Sequence, residues 1–128
     1  MSIEIRSMRT RCERRRFVTF PWKIYRDDPL WVPPLVPDRM KVTNPERGMF
    51  FERGEAEFFA AYRDGEMVGT ICAAKDNEEI RKMGRRECVF GFFETINEMT
   101  VAQALFDRAD AWARERNLDS LLGPFNLD

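Results

Sequence analysis

The stretch VFGFFETINEMTVAQALFDRADAWARERN, residues 89–117, decides how the rest of the chain is read. From Glu87 to Glu94 the sequence alternates as a strand, with Cys88, Phe90 and Phe92 on one face and Val89, Gly91 and Phe93 on the other. Both faces are apolar, which predicts a central strand covered on two sides. Gly91 marks either a bulge or a place where a ligand or helix comes close to the backbone. After the turn TINEM the period changes to that of a helix over residues 100–117. Val101, Leu105, Ala109 and Trp112 form one stripe, Thr100 with Gln103 fits a capping box, and Asn117 fits a left-handed stop. A strand, a short turn and a helix make the framework of many anion-binding sites, because a helix begins with unpaired N–H groups and a positive dipole end.

Working outward, EAEFFAAYRDGEMVGTICAAK (55–75) holds two strand-like runs, Glu55 to Tyr62 and Met67 to Ala74, around Asp64-Gly65. That dipeptide suits the tight primed turn of a β-hairpin, which requires positive φ. The connection DNEEIRKMGRRE reads as polar and irregular. At the amino end, SIEIRSM alternates as a short strand with Ile3 and Ile5 on one face. Thr10 to about Tyr25 reads as a helix with Cys12, Phe17, Phe20 and Ile24 as its apolar stripe, kinked or split by Pro21 near Phe20. Pro29, Pro33, Pro34 and Pro37 then rule out a regular helix or central strand, leaving an extended loop anchored by Trp31 and Val32. A short helical turn over Asp38 to Val42 follows, and a last strand, Ser120 to Leu122, precedes GPFNLD. This order predicts one α/β (α+β) domain with a mixed, mostly antiparallel sheet flanked by helices.

Composition bounds the function. A chain of 128 residues with 44% apolar side chains builds one core. No apolar run approaches the roughly 20 residues that span a bilayer. Residues 1–26 carry eight Lys or Arg against Glu4 and Glu13, while the whole chain has a net charge of −1. Such a basic arm is a possible phosphate or nucleic-acid contact. Without a nucleic-acid motif, the reading preferred is that Arg14, Arg15 and Arg16 point to different sides of a helix and are mostly solvated. There is no histidine, and the three cysteines, Cys12, Cys72 and Cys88, fit no paired spacing, which argues against a metal site and for a reducing cytoplasm. Cys72 and Cys88 have apolar strand neighbours and no base, as buried structural thiols do. The expectation is a cytoplasmic protein without metal, nucleic-acid or membrane partners.

The blocks FPWKIYRDDPLWVPPL, the FF pair before the first hairpin strand, AAYRDGEMVGTI, GFFE, VAQALFDRADAWARERN and GPFN together resemble the GNAT superfamily of acyl-CoA-dependent N-acyltransferases, and within it one bacterial GNAT-like family of uncharacterised proteins. The likeness covers most of residues 1–128 and corresponds to the first two thirds of a GNAT domain. It implies a single, incomplete domain that lacks the C-terminal strands of the fold. The exposed edge left at Leu121, Leu122 and Phe125 implies self-association or a covering partner.

The resemblance also implies a chemistry. In GNAT enzymes the pantetheine arm of acetyl-CoA, or of another acyl-CoA, pairs with the fourth strand, and its pyrophosphate lies on the amides of the following turn. Carried onto this sequence, that places Phe92, Phe93, Glu94, Thr95, Asn97, Met99, Thr100 and Val101 around the co-substrate. Asn126 matches an Asn that bonds the pantetheine, or is a turn former. Glu94 stands where many of these enzymes keep the base that deprotonates the amine acceptor, or is an ordinary carboxylate at a strand end. The turn departs from the usual glycine-rich pattern: TINEMT has no glycine and no arginine, and Glu98 would repel a pyrophosphate. Tyr25 and Tyr62 lie too early in the chain to match the family's general acid and read as core-edge residues. Two functions follow: N-acyl transfer from acyl-CoA to an amine that the sequence does not identify, by this chain or by a larger protein of which it is a fragment, or a non-catalytic GNAT-like ligand-binding or assembly module.

Overall fold

The computed structural model describes residues 2–127. The elements are β1 (Glu4–Ser7), α1 (Arg11–Tyr25), α2 (Val36–Val42), a 3-10 turn (Met49–Glu52), β2 (Gly54–Arg63), β3 (Glu66–Asp76), α3 (Asn77–Met83), β4 (Glu87–Thr95), α4 (Met99–Glu115) and β5 (Ser120–Leu122). They build one five-stranded sheet in the order β1-β2-β3-β4-β5. The first three pairings are antiparallel and the last, reached through α4, is parallel. This is the mixed, mostly antiparallel sheet flanked by helices that the sequence predicts.

The β2–β3 hairpin turns where the sequence places it. Asp64 (φ 54°) and Gly65 (φ 77°) both adopt the left-handed conformation of a primed turn, with Arg63 opposite Glu66. The sheet is covered on both sides. On one side α4 lays Val101, Leu105, Ala109 and Trp112 on Phe59, Ile71, Ala73 and Cys88. On the other, Phe17 and Val18 of α1 meet Phe58, Ala60, Cys72 and Phe92. Trp112 is buried, donates its indole N–H to Glu57 at 3.2 Å, and lies 3.8 Å beneath the Arg116 guanidinium.

Several local expectations change. Thr10 and Glu13 form a reciprocal capping box, and α1 then runs unbroken past Pro21 to Tyr25. A single missing N–H is tolerated because Phe17, Val18 and Phe20 hold the helix to the sheet. Cys12 is exposed and is not part of the stripe; Arg14 is buried instead, unlike the exposed Arg15 and Arg16. Pro37 falls in the first turn of α2, where its lacking N–H costs no hydrogen bond, so that helix starts earlier than predicted. In the proline loop Trp31 packs against Trp22 and Tyr25, while Val32 is 83% exposed and anchors nothing.

The connection read as irregular contains α3. Its start and stop were written in the sequence: Asp76 accepts from the N–H groups of Glu78 and Glu79, and Gly84 (φ 68°) ends it. Asp76 also receives Arg53 Nε at 2.9 Å. Burial acts to raise the Asp76 pKa, but the Arg53 hydrogen bond and the two amides outweigh it and hold the carboxyl below its ordinary value. Asp76→Ala is expected to cost about 1–2 kcal/mol, measured by urea unfolding at neutral pH. Because the folded pKa is depressed, the contribution is present above the unfolded value and disappears as pH falls through the folded one. The difference between wild type and Asp76→Ala should therefore shrink on acidification.

The capping box predicted at Thr100 and Gln103 does not form. Glu98 is the N-cap residue of α4, Thr100 lies inside the first turn, and Gln103 bonds forward to Asp107 at 2.8 Å. Asn117 does take the left-handed stop, at φ 59°. In β4 the alternation is broken: Cys88 and Phe90 pack toward α4, but Phe92 packs toward α1 and Phe93 toward α4. A bulge is the cause. The register with β3 shifts between Thr70 and Cys72, and Phe92 sits at φ 48°.

Candidate functional site

The bulge shapes the site. β4 and β5 pair only from Glu87–Ser120 to Val89–Leu122, after which the chain leaves the ladder through Gly123-Pro124. It stays close: Phe125 N–H donates to the Phe90 carbonyl at 2.7 Å, and the Asn126 side-chain oxygen accepts from Phe92 N–H at 3.1 Å. On the opposite edge, Thr70 Oγ1 donates to the Phe92 carbonyl at 2.8 Å. Phe92 is thus pinned on both sides, which holds its left-handed backbone in place. Gly91 is where the returning chain passes, since a Cβ there would lie 1.3 Å from the Phe125 carbonyl oxygen. Of the two readings of Gly91, the close approach holds, the bulge lies one residue on, and the approaching backbone is the protein's own.

Beside the bulge lies a pocket of about 520 Å³. Phe17, Val18, Pro21 and Tyr25 of α1 form one wall, Trp31–Pro34 of the proline loop another, and Thr70, Phe92, Phe93, Glu94, Pro124 and Asn126 the sheet side, with Arg39 of α2 at the edge. Most of this lining is apolar. Among the described residues its one carboxylate is Glu94, whose Oε1 lies 3.3 Å from the Tyr25 hydroxyl. Burial raises the Glu94 pKa above its ordinary value, against the hydrogen bond from Tyr25 and the charge of Arg39, which lower it. The same hydrogen bond, with burial, raises the pKa of Tyr25, so the phenol keeps its proton at neutral pH. A carboxylate poised upward and a protonated phenol on one apolar wall are suited to proton transfer. Arg39 lies 4.9 Å over the Phe92 ring, which sets its charge at the pocket's edge.

The residues singled out from sequence fall into two groups. Phe92, Phe93, Glu94 and Asn126 line the pocket together. Asn97, Met99 and Thr100 are exposed at the start of α4, outside its lining, and Thr95 donates its hydroxyl to the Ile96 carbonyl at 3.0 Å. Val101 has its side chain fully buried in the core, and its N–H donates to Glu98 at 3.2 Å. The N–H groups of Met99 and Thr100 make none of the described hydrogen bonds, as befits a first helical turn. Glu98 forms a two-pronged ion pair with Arg63, whose hydrogen bond lowers its pKa. The repulsion expected of Glu98 is therefore matched locally by a cation from the hairpin. Sequence reasoning set Tyr25 aside as a core-edge residue and did not single out Arg39 or Arg63; proline spacing and helical period gave no sign that distant segments would converge on Glu94 and Glu98.

Burial raises the Cys72 thiol well above its ordinary pKa and the Cys88 thiol to about 11, so neither is a ready nucleophile. Among the described residues no group of three His, Cys, Asp or Glu is placed to hold a metal ion, and no helix is long and apolar enough to cross a membrane.

No protein-family model matches the sequence. A curated bacterial ceramide synthase from Caulobacter vibrioides is 33% identical over 121 residues, which cover 94% of this chain and 32% of that protein. The chain spans about a third of the length of the curated relatives it matches. A predicted acetyltransferase from Clostridium acetobutylicum, crystallised with acetyl-CoA, superposes with a TM-score of 0.68 at 14% identity, covering 98% of this chain and 82% of its own. A tandem GNAT protein of the clavulanic acid pathway superposes at 0.72 and 14% identity over 94% of this chain and 35% of its own. The fold is that of the GNAT acetyltransferases.

Proposed function

We propose that this GNAT fold carries out N-acyl transfer, moving an acyl group from a CoA thioester to the amine of an acceptor with a long apolar body. The observation that carries this reading is the Tyr25–Glu94 pair on the wall of an apolar pocket beside the β4 bulge. The thioester supplies the acyl carbon; its C–S bond breaks as the new C–N bond forms, and the departing thiolate takes up a proton from water or from Glu94 once the amine has given one up. The α4 start, with the unpaired N–H groups of Met99 and Thr100 and the Glu98 charge matched by Arg63, fits the pyrophosphate of such a co-substrate. Glu94 takes the proton that the amine must lose, directly or through one water, and its raised pKa brings it nearer to that of the amine. Tyr25 orients the carboxylate by donating to Oε1.

Two observations support the acceptor class. Phe17, Val18, Trp31, Val32 and Phe92 give the pocket walls suited to a hydrocarbon chain. A curated relative is named a ceramide synthase, and a ceramide is an amide of a long-chain amino alcohol. Thiol release from acetyl-CoA and palmitoyl-CoA, measured with a long-chain amino alcohol and with a small polar amine, tests the reading. Release that depends on the long-chain amine supports it. Equal turnover of the small polar amine would remove the acceptor class, and no calorimetric binding of either thioester up to about 1 mM would remove acyl transfer.

Glu98→Gly is expected to tighten CoA binding about threefold to tenfold, because it removes the acidic side chain and frees Arg63 for the phosphates. Arg63→Ala should act in the opposite direction by leaving Glu98 unmatched. Calorimetry with CoA reads both variants, and unchanged or weaker binding in Glu98→Gly would dispose of the electrostatic account of this turn.

A further inference from the structure

We propose that the cleft between α1 and α2 binds a phosphate group, carried either by a small phosphomonoester or by a phospholipid headgroup. This does not rest on the acyl-transfer reading, and the cleft shares no lining residue with the Glu94 pocket. It has a volume of about 400 Å³. Arg11, Arg14 and Arg15 stand at helical spacings of three and four and therefore share one face of α1. Lys41 and Asn44 face them from α2 and its end. Arg47 completes the ring through the turn in which its N–H donates to the Asn44 carbonyl at 3.1 Å.

Five cations thus meet with no carboxylate of the described residues in the lining. Glu13, the acid nearest on α1, is committed to the capping box, and neither Asp38 nor Glu46 lines the cleft. Among the described residues none of the five takes part in an ion pair, although eight such pairs form elsewhere on the molecule.

Arg14 is the decisive member, being only 7% exposed. Its Nη1 donates to the Met40 carbonyl at 3.1 Å and more distantly to Thr43 Oγ1 at 3.4 Å, which closes the end of α2. Its Nε is buried and has no hydrogen-bond partner among the described residues. Burial, and after it the charge of Arg11, pull the Arg14 pKa down. A buried guanidinium with a donor unused and further cations beside it is costly without a counter-ion. A phosphate dianion held by the exposed Arg11, Arg15, Lys41 and Arg47 relieves the charge part of that cost, and its oxygens match the fork geometry of arginine better than a single chloride does.

The test uses the full chain with sn-glycerol 3-phosphate as the soluble probe, and vesicles of phosphatidylcholine with or without phosphatidic acid as the membrane probe, at constant ionic strength. Saturable binding with amide shifts at Arg11, Arg14, Arg15, Lys41, Asn44 and Arg47 is the expected result for the soluble probe. Sedimentation only with the vesicles containing phosphatidic acid would identify the headgroup as the source. In either case the Lys41→Ala/Arg47→Ala double variant, both residues being exposed and outside the core, should weaken binding about tenfold or more while keeping the melting temperature. Absence of binding to both probes, or binding that the double variant leaves unchanged, would overturn the proposal.

Discussion

Glu94→Gln is expected to slow acyl transfer by about 10²–10⁴-fold, the span that a positioned base supplies, with little change in affinity for the thioester. The fold provides the control. Because the carboxyl pKa is raised in the folded state, the ionised form is less favourable there than in the unfolded chain, and stability falls as pH rises from the unfolded pKa through the folded one. Glutamine carries no charge to desolvate, so Glu94→Gln should melt at or above the wild-type temperature near neutral pH. A loss of activity accompanied by a lower melting temperature would point to disruption and not to a missing base.

The pH profile separates the neighbours from the base itself. If Glu94 is the base, as proposed, transfer needs it ionised, so the acidic limb of the rate profile should lie at higher pH than an ordinary glutamate would give. Tyr25 and Arg39 both act to lower the Glu94 pKa. Removing either one, in Tyr25→Phe or Arg39→Ala, should move that limb to higher pH. A Tyr25→Phe limb that stays in place would mean that the phenol does not hold the carboxylate during turnover.

Gly91→Ala should give the largest structural effect of a Cβ added at any of the glycines. The added carbon would fall on the Phe125 carbonyl oxygen, which belongs to backbone and cannot swing aside as a side chain would. Relief requires lifting the segment from Gly123 to Leu127 away from β4. That movement breaks the Phe125–Phe90 and Asn126–Phe92 hydrogen bonds and exposes Leu127, which is 6% exposed in place. Two lost hydrogen bonds and one uncovered leucine amount to about 3–5 kcal/mol. Chemical denaturation measures it, and amide exchange at Phe92 reports whether the segment has lifted. A change of under about 1 kcal/mol would show that the segment is not held against the sheet.

The strand and helix order was legible because periodicity changes sharply at the turns: Asp64-Gly65 between two strand-like runs, and the switch from period two to the Val101–Trp112 stripe. What was not legible had a tertiary cause. Phe92 and Phe93 exchange faces because a bulge adds one residue to β4, and alternation counted along a single strand cannot register an extra residue opposite Ile71. Pro21 was read by its local penalty, whereas the packing of Phe17, Val18 and Phe20 decides the outcome. Asp76 and Gly84 did announce α3, and the polar run between them concealed it.

The site divides in the same way. Glu94 and Asn126 could be chosen from strand ends, and they do line one pocket. Tyr25 sits 69 residues before Glu94, and the contact exists only because α1 crosses the bulged end of β4. Arg63 reaches Glu98 across 35 residues for a similar reason, the hairpin lying beside the α4 start. Charge pattern alone shows a free acid in TINEM, and the fold supplies its partner.

Trp22, Tyr25 and Trp31 form one aromatic group, with Trp31 stacked on Tyr25 at 5.5 Å and edge-on to Trp22 at 5.2 Å. Both Tyr25 and Trp31 line the pocket. The third tryptophan, Trp112, is sealed on the far side of the sheet. Emission from this protein is therefore a sum of two signals with different meanings: a sealed indole that should report unfolding, and an aromatic trio that should respond to a ligand entering the pocket. Replacing Trp112 by phenylalanine leaves a chain whose indole fluorescence arises only from Trp22 and Trp31 beside the pocket, so entry of the proposed hydrocarbon tail should be readable as a blue shift without any added dye.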